Sequence, residues 1–253
     1  MVPGSARFVL VEPHAAGNVG SAARALKNLG FRNLVLVAPR CDPRSAEARW
    51  LAVDAVDVLE EARVVLGLDE ALEGASTVVG TSRRKGKQRR PHFRLDQFAP
   101  ELARHAGAGE MAFVFGREEY GLTDAELDRC THLVHFLSSE EHPSFNLAQA
   151  VLLAAYELRR AALRGPEGEP ADRPADHAAR EAMYAHVERA LFAAGFLHED
   201  TAEGMMRRIR RILGRAALTP GDVKVFRGIA RQILWLAEHP SRGTGPRPRQ
   251  EGG

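Results

Sequence analysis

The chain has 253 residues, 45% of them hydrophobic, and a formal net charge of +2. That length supports one substantial core, or a core with an appendage. No apolar run reaches the roughly 18–20 residues that span a bilayer, no basic and apolar leader opens the chain, and the near-neutral charge alone points to no polyanion. In chain order, residues 7–11 form a β-rich run. Residues 18–29 place Val19, Ala22, Ala23, Leu26 and Leu29 at helical spacing, with Gly30 as the stop. Strands are predicted at 34–37, 64–65, 77–80, 111–115 and 133–136. Helices are predicted within 43–61 and at 68–73, 95–105 and 146–163. Thr123 and Glu126 have the spacing of a capping box opening a short helix to Arg129.

This alternation predicts an α/β domain over residues 1–164, with a parallel sheet covered by helices on both faces. Residues 165–179 are rich in proline, glycine and acids and read as a linker. Helical periods at 180–194, 201–215 and 222–238 then predict a small all-α domain over 180–239. A tail at 240–253 reads as disordered. Only 6% of residues are aromatic, so the core is expected to be leucine, valine and alanine. Cys41 and Cys130, without a CxxC or a His/Cys cluster, read as reduced thiols and suggest no metal. A cytoplasmic protein is expected.

Three segments carry chemistry. The first is a strand, then Gly17-Asn18-Val19-Gly20, then a helix containing Arg24. A glycine-bearing loop before a helix offers backbone N–H groups to a ligand. The spacing is GxxG rather than the GxGxxG of a dinucleotide fold, and no acid follows Val37. Asn18 could equally serve as a plain helix cap. The second is Val114-Phe115-Gly116-Arg117-Glu118-Glu119-Tyr120-Gly121-Leu122, where a glycine at a strand end admits a ligand to the backbone. An acid just past a buried strand is costly unless paired, so Glu118 is expected to organise Asn18, Arg24 or their loop. The third is Pro143-Ser144-Phe145-Asn146-Leu147, opening a long apolar helix that Asn146 could also cap.

Together these segments resemble the signature motifs of the SpoU-class RNA 2'-O-ribose methyltransferases, members of the knotted SPOUT superfamily. Asn18, Gly20 and Arg24 match N-x-G-x-x-x-R, and residues 115–122 match F-G-x-E-x-x-G-L. Residues 144–147 match S-L-N-[VL], with Phe145 in place of leucine. The resemblance implies a trefoil knot in the C-terminal part of the α/β domain. It assigns Asn18, Arg24 and Glu118 to the catalytic centre. It implies S-adenosyl-L-methionine as methyl donor, held by Thr81, Ser82, Arg83, Gly116, Phe136, Leu137, Ser144, Phe145 and Asn146. A guanidinium is protonated at neutral pH, so Arg24 is read as gripping the phosphate beside the acceptor ribose rather than as a base.

Two basic stretches interrupt the near-neutral chain. Residues 83–94 hold seven Lys or Arg and no acid, and residues 207–215 hold five arginines. Either could be solvated surface, but local patches suit an anionic partner. Arg84, Lys85, Lys87, Arg89, Arg90, Arg208 and Arg211 are the candidate RNA contacts. His92 and Phe93 could stack on an unpaired base. On 201–215, Met205, Ile209, Ile212 and Leu213 form the apolar side, opposite Arg208, Arg211 and Arg215. The segments GTSRR, RALFAAGFLHED and KVFRGIARQIL look most like the TrmJ type of the class. That likeness implies a homodimer acting on cytidine or uridine at position 32 of the tRNA anticodon loop. Ribosomal RNA, another tRNA position, or a non-catalytic RNA-binding role stand as alternatives.

Overall fold

The structure is a computed structural model, in which residues 6–82, 92–106, 110–142, 144–164 and 174–239 are described. The elements run β1 (Ala6–Val11), α1 (Ala16–Asn28), β2 (Leu34–Val37), α2 (Ala46–Ala52), α3 (Val56–Glu61), β3 (Arg63–Val65), α4 (Leu68–Ala71) and β4 (Ala75–Thr81). They continue with β5 (His92–Arg94), α5 (Leu95–Ala106), β6 (Glu110–Phe115), α6 (Asp124–Leu127), β7 (His132–His135) and α7 (Leu147–Arg164). Last come α8 (His177–Ala193), α9 (Ala202–Leu213) and α10 (Pro220–Glu238).

Seven strands form one sheet in the order β3-β2-β1-β6-β4-β7-β5. Every pairing is parallel. Strand residues alternate between two separate cores, as a period of two requires. Phe8, Leu10, Leu34, Leu36, Phe113 and Phe115 face one layer, with α1, α2, α3, α5 and α7. Val9, Val11, Val35, Val37, Ala112 and Val114 face the other, which includes residues of α4 and α6. Burial on both faces explains why the strands read as unbroken apolar runs. The core departs from the expected Leu/Val/Ala make-up at its centre. There Phe8 meets Phe31 edge-on at 5.1 Å and stacks near Phe113 at 5.6 Å and Phe115 at 6.4 Å.

Later strands return between earlier ones. β6 enters between β1 and β4, and β7 between β4 and β5, an interleaving consistent with the knot that the resemblance implies. β5 was not predicted: three residues at the sheet edge, just after a proline and a cation run, carry no apolar period of their own. α6 has the predicted capping box but ends at Leu127. α8 starts at His177, inside the stretch read as linker, with the Asp176 side chain accepting from Ala179 N.

The helices α8, α9 and α10 build a third core around Met183, Tyr184, Leu197, Met206 and Val223. Met205, Ile209 and Leu213 pack on it as predicted, whereas Ile212 is 54% exposed. Polar contacts dock this unit on the sheet domain. Arg180 Nη1 donates to Ser76 O at 2.6 Å, His177 Nε2 lies 2.9 Å from Asp69 Oδ1, and Arg207 Nε donates to Asp128 Oδ2 at 2.9 Å. Among the described residues, no helix is long and apolar enough to cross a membrane. The predicted tail lies outside them.

The glycine two residues after Asn18 has a packing role. A Cβ on Gly20 would fall 2.1 Å from the Ala48 carbonyl oxygen, because α2 crosses α1 there. Helix propensity alone favours Gly20→Ala by about 1 kcal/mol, but overpacking of this kind costs on the order of 3 kcal/mol. Urea denaturation of Gly20→Ala should therefore show a net loss of stability; a net gain would mean that the helices do not approach so closely.

Candidate active site

The carboxyl ends of β4, β6 and β7, with Arg94 at the end of β5, surround one cleft of about 470 Å³. The chain leaves β1 toward β2 on one side, while β6 lies on the other. At such a reversal the strand ends diverge, and there the loop after β6 meets the start of α1 through Glu118. Thr81 and Ser82 after β4, the 116–122 loop after β6, residues 136–140 after β7, and Ser144 and Phe145 before α7 line it.

Glu118 organises the rim. Its carboxylate accepts from His14 N at 3.1 Å, Ala15 N at 3.3 Å and Asn18 Nδ2 at 2.9 Å. α1 begins at Ala16, not Asn18, and its N-cap residue Ala15 offers no side-chain cap. The capping acceptor comes instead from 103 residues away. The N-terminus of a helix favours negative charge, so the placement suits an ionised carboxylate. Burial pushes the Glu118 carboxyl up, yet the hydrogen bonds from Asn18 and the amides of Glu118, His14 and Ala15 hold it below the usual range.

Asn18 therefore does not cap its own helix. A carboxylate only accepts, so the Asn18 amide nitrogen faces Glu118 and its oxygen faces away. That oxygen accepts from Asn146 Nδ2 at 2.8 Å. Asn146 keeps its capping role as well, its Oδ1 accepting from Ala148 N at 2.9 Å. One chain of hydrogen bonds, Asn146 to Asn18 to Glu118, thus joins the three segments singled out in the sequence.

The 116–122 loop is tightly folded. Arg117 and Gly121 form an antiparallel bridge, and Gly121 sits at φ +75°. A Cβ on Gly116 would lie 2.1 Å from the Gly121 carbonyl carbon. Arg117, which sequence reasoning did not single out, is buried here. Its guanidinium grips Glu126 through both nitrogens at 2.9 Å and also binds Glu12. Glu126 completes the capping box of α6 at the same time. Glu12 lies at the end of β1 with φ +46°, a conformation unfavourable for a residue with a Cβ. Arg117 first, then Arg40, hold the Glu12 carboxyl below its ordinary value. Nothing in local sequence marks Arg117, because its partners lie 105 and 9 residues away.

Of the residues assigned to the methyl donor, Thr81, Ser82, Gly116, Phe136, Leu137, Ser144 and Phe145 line the cleft. The Thr81 hydroxyl donates to Val114 O at 3.1 Å, which ties β4 to β6. Phe136 and Phe145 meet edge-to-face at 5.9 Å. Asn146 stands at the rim rather than among the lining residues, and Arg83 lies outside the described residues. Arg94, Ser138, Ser139 and Glu140 also line the cleft and were missed. The Arg94 guanidinium is paired with Asp96 through two bonds of 2.7 Å.

Arg24 is exposed on α1 and forms no hydrogen bond or ion pair with a described residue. Six residues past Asn18, it sits about 120° around the helix and about 9 Å along it. The fold therefore does not bring it into its own chain's Asn18–Glu118 cluster. Arg84, Lys85, Lys87, Arg89 and Arg90 lie outside the described residues. Arg208 is exposed and Arg211 partly buried. Phe93 stacks on Phe98 at 4.2 Å, so one face of its ring is already covered.

The SpoU rRNA Methylase family model matches residues 5–156, and the model of the tRNA methyltransferase TrmJ C-terminal domain matches residues 178–242. The chain belongs to the SpoU methylase family. Among its SpoU-family relatives is the tRNA (cytidine/uridine/adenosine-2'-O-)-methyltransferase TrmJ of Pseudomonas aeruginosa, strain UCBPP-PA14. It is 41% identical over 244 residues, covering 91% of this chain and 94% of that protein. The tRNA (cytidine/uridine-2'-O-)-methyltransferase TrmJ of Yersinia pestis, strain Pestoides F, is 38% identical over 94% of this chain and 95% of its own length. Among solved SpoU-family structures, TrmJ from Z. mobilis ZM4 superposes with a TM-score of 0.78 at 29% identity, covering 90% of this chain and 98% of that one. The Streptomyces viridochromogenes SpoU methyltransferase AviRb, solved with the cofactor AdoMet, shares the fold at a TM-score of 0.52 and 19% identity, covering 65% of this chain and 63% of that one.

Proposed function

We propose that this chain is an S-adenosylmethionine-dependent tRNA 2'-O-ribose methyltransferase, acting on cytidine or uridine at position 32 of the anticodon loop. The observation that carries the reading is the hydrogen-bond chain Asn146–Asn18–Glu118 at the rim of the cleft. The cleft suits the methyl donor. Its volume falls in the range of small-molecule sites. It combines apolar rings at Phe136 and Phe145 with hydroxyls at Ser82 and Ser144, and a strand-end glycine admits a ligand to the backbone. When bound, S-adenosylmethionine supplies a methyl group on a positively charged sulfur. Thr81, Ser82, Gly116, Phe136, Leu137, Ser144 and Phe145 would hold it, and Arg83 would join them.

The protein's own part is positioning. Glu118 fixes the Asn18 amide, and Asn18 and Asn146 present polar groups at the mouth of the cleft. Alignment of this kind supplies much of the rate gain in a bimolecular transfer. Arg24, oriented away from this cluster, is assigned to the phosphate beside the acceptor ribose. A homodimer supplies the missing geometry. Leu152, Tyr156 and Leu163 are 43%, 52% and 72% exposed along α7, which packs on α1. An exposed apolar stripe of this kind suits a second copy, whose own cleft could then receive Arg24.

Transfer of labelled methyl to tRNA by wild type, Arg24→Lys and Arg24→Ala tests the assignment. Both variants should lose at least about 100-fold in turnover, the loss typical of a misplaced or missing charge stabiliser, with donor binding kept. Normal turnover in Arg24→Ala would remove Arg24 from the mechanism. Ribosomal RNA is the second reading, favoured by the description of the matching family model.

A further inference from the structure

Helices α8 and α10 carry cations that the cleft does not use. Ala175 N donates to Leu218 O at 2.7 Å just before the two helices begin. They then pack side by side over much of their length, so they run in the same direction. Lys224, Arg227 and Arg231 follow i, i+3, i+7 spacing and share one face of α10. They span about 10 Å of helix. Arg189 lies one turn beyond His186 on α8. With the helix starts held level, Arg189, 12 residues past the start of α8, stands beside Arg231, 11 residues past the start of α10. Burial first, and then the positive charges of Arg189, Arg227 and Arg231, lower the His186 pKa, in keeping with that placement.

All four cations are exposed, and none forms a hydrogen bond or ion pair with a described residue. On α9, by contrast, Arg207 is tied to Asp128 and Glu203, and Arg210 to Glu181. Glu188 and Glu238, acids of α8 and α10, pair with none of the four. Converging like charges repel one another and oppose folding. A bound polyanion reverses the sign of that interaction, and arginine forks match phosphate oxygens in particular.

We infer that Lys224, Arg227 and Arg231 of α10, with Arg189 of α8, form a stripe that binds the sugar–phosphate backbone of the RNA substrate. The inference rests on the RNA reading above. Contacts of this kind set position and orientation without reading sequence, so the stripe would anchor the body of the tRNA rather than select the nucleotide.

The test is fluorescence anisotropy of labelled tRNA over a salt series, with the full chain and its K224Q/R227Q/R231Q variant. The variant should bind at least 10-fold more weakly near physiological salt. Its log–log salt slope should be shallower by about 2, since each phosphate contact contributes about 0.7–0.9. An R227K/R231K variant should keep the slope. Donor binding should match wild type, and the melting temperature should be equal or higher because the repulsion is relieved; both report on folding. Unchanged affinity and slope in the glutamine variant would overturn the inference, as would a change confined to oligomeric state, or a wild-type chain that does not bind tRNA. If wild type transfers no methyl but the variant still loses tRNA binding, the enzyme reading fails and the stripe stands.

Discussion

Glu118→Gln should lower methyl transfer by about 100-fold, the scale of loss expected when a positioning contact slips by roughly an ångström. Three donors converge on the Glu118 carboxylate: two backbone amides and the Asn18 amide. Glutamine has the same shape but replaces one acceptor oxygen with a donor NH2. With its oxygen in the Oε1 position glutamine can still accept from Ala15 N and Asn18 Nδ2, but its NH2 then faces His14 N, whose shorter bond goes to Oε2. A neutral amide also accepts less strongly than a carboxylate, so the start of α1 shifts and the Asn18 amide, with its link to Asn146, is held less firmly. Losing the cap should also cost about 1 kcal/mol. The stability difference depends on pH. The folded Glu118 carboxyl lies below its ordinary 4.5, so its contribution is complete above that value. It is lost as pH falls through the depressed folded value. Urea midpoints of wild type and Glu118→Gln should therefore differ at pH 7 and draw together as pH falls below 4.5. A gap that widens on acidification would contradict the assignment of Glu118 as an ionised cap.

Arg117→Ala should be the most destabilising of the site substitutions, at about 3 kcal/mol, the range for removing one partner of a buried ion pair. The change leaves Glu12 and Glu126, whose side chains are only 19% and 15% exposed, without the cation between them. Glu12 also loses a contact that holds its left-handed backbone, and the 116–122 loop loses its anchor to β1. Donor affinity should fall along with stability. Arg117→Lys keeps the charge but cannot engage both Glu126 oxygens with a planar fork, so it should recover part of the loss. Equal stability of Arg117→Ala and wild type in urea would show that the cluster does not brace the loop.

The sheet was legible because each central strand is buried on both faces, which leaves unbroken apolar runs such as Phe8 to Val11 and Met111 to Phe115. The helices were legible from their period and from a local cap at Thr123. What was hidden depends on distant contacts. α1 starts two residues before Asn18 because its cap is supplied by Glu118, which no window around residue 18 contains. Arg117 carries no local mark because Glu12 becomes its neighbour only when β1 pairs with β6. β5 draws its order from β7 rather than from its own residues. The motif residues Asn18, Glu118 and Asn146 were legible as a group through resemblance. That they share one hydrogen-bond chain, and that Arg24 stands apart from it, took the fold.

The most direct measurement is transfer of labelled methyl from S-adenosylmethionine to purified tRNA, with the labelled nucleotide mapped and its sugar and base separated. Wild type should place the label on the ribose 2'-oxygen of a cytidine or uridine at position 32, and Asn18→Ala should abolish it. Label on a base, or on ribosomal RNA with none on tRNA, would contradict the account.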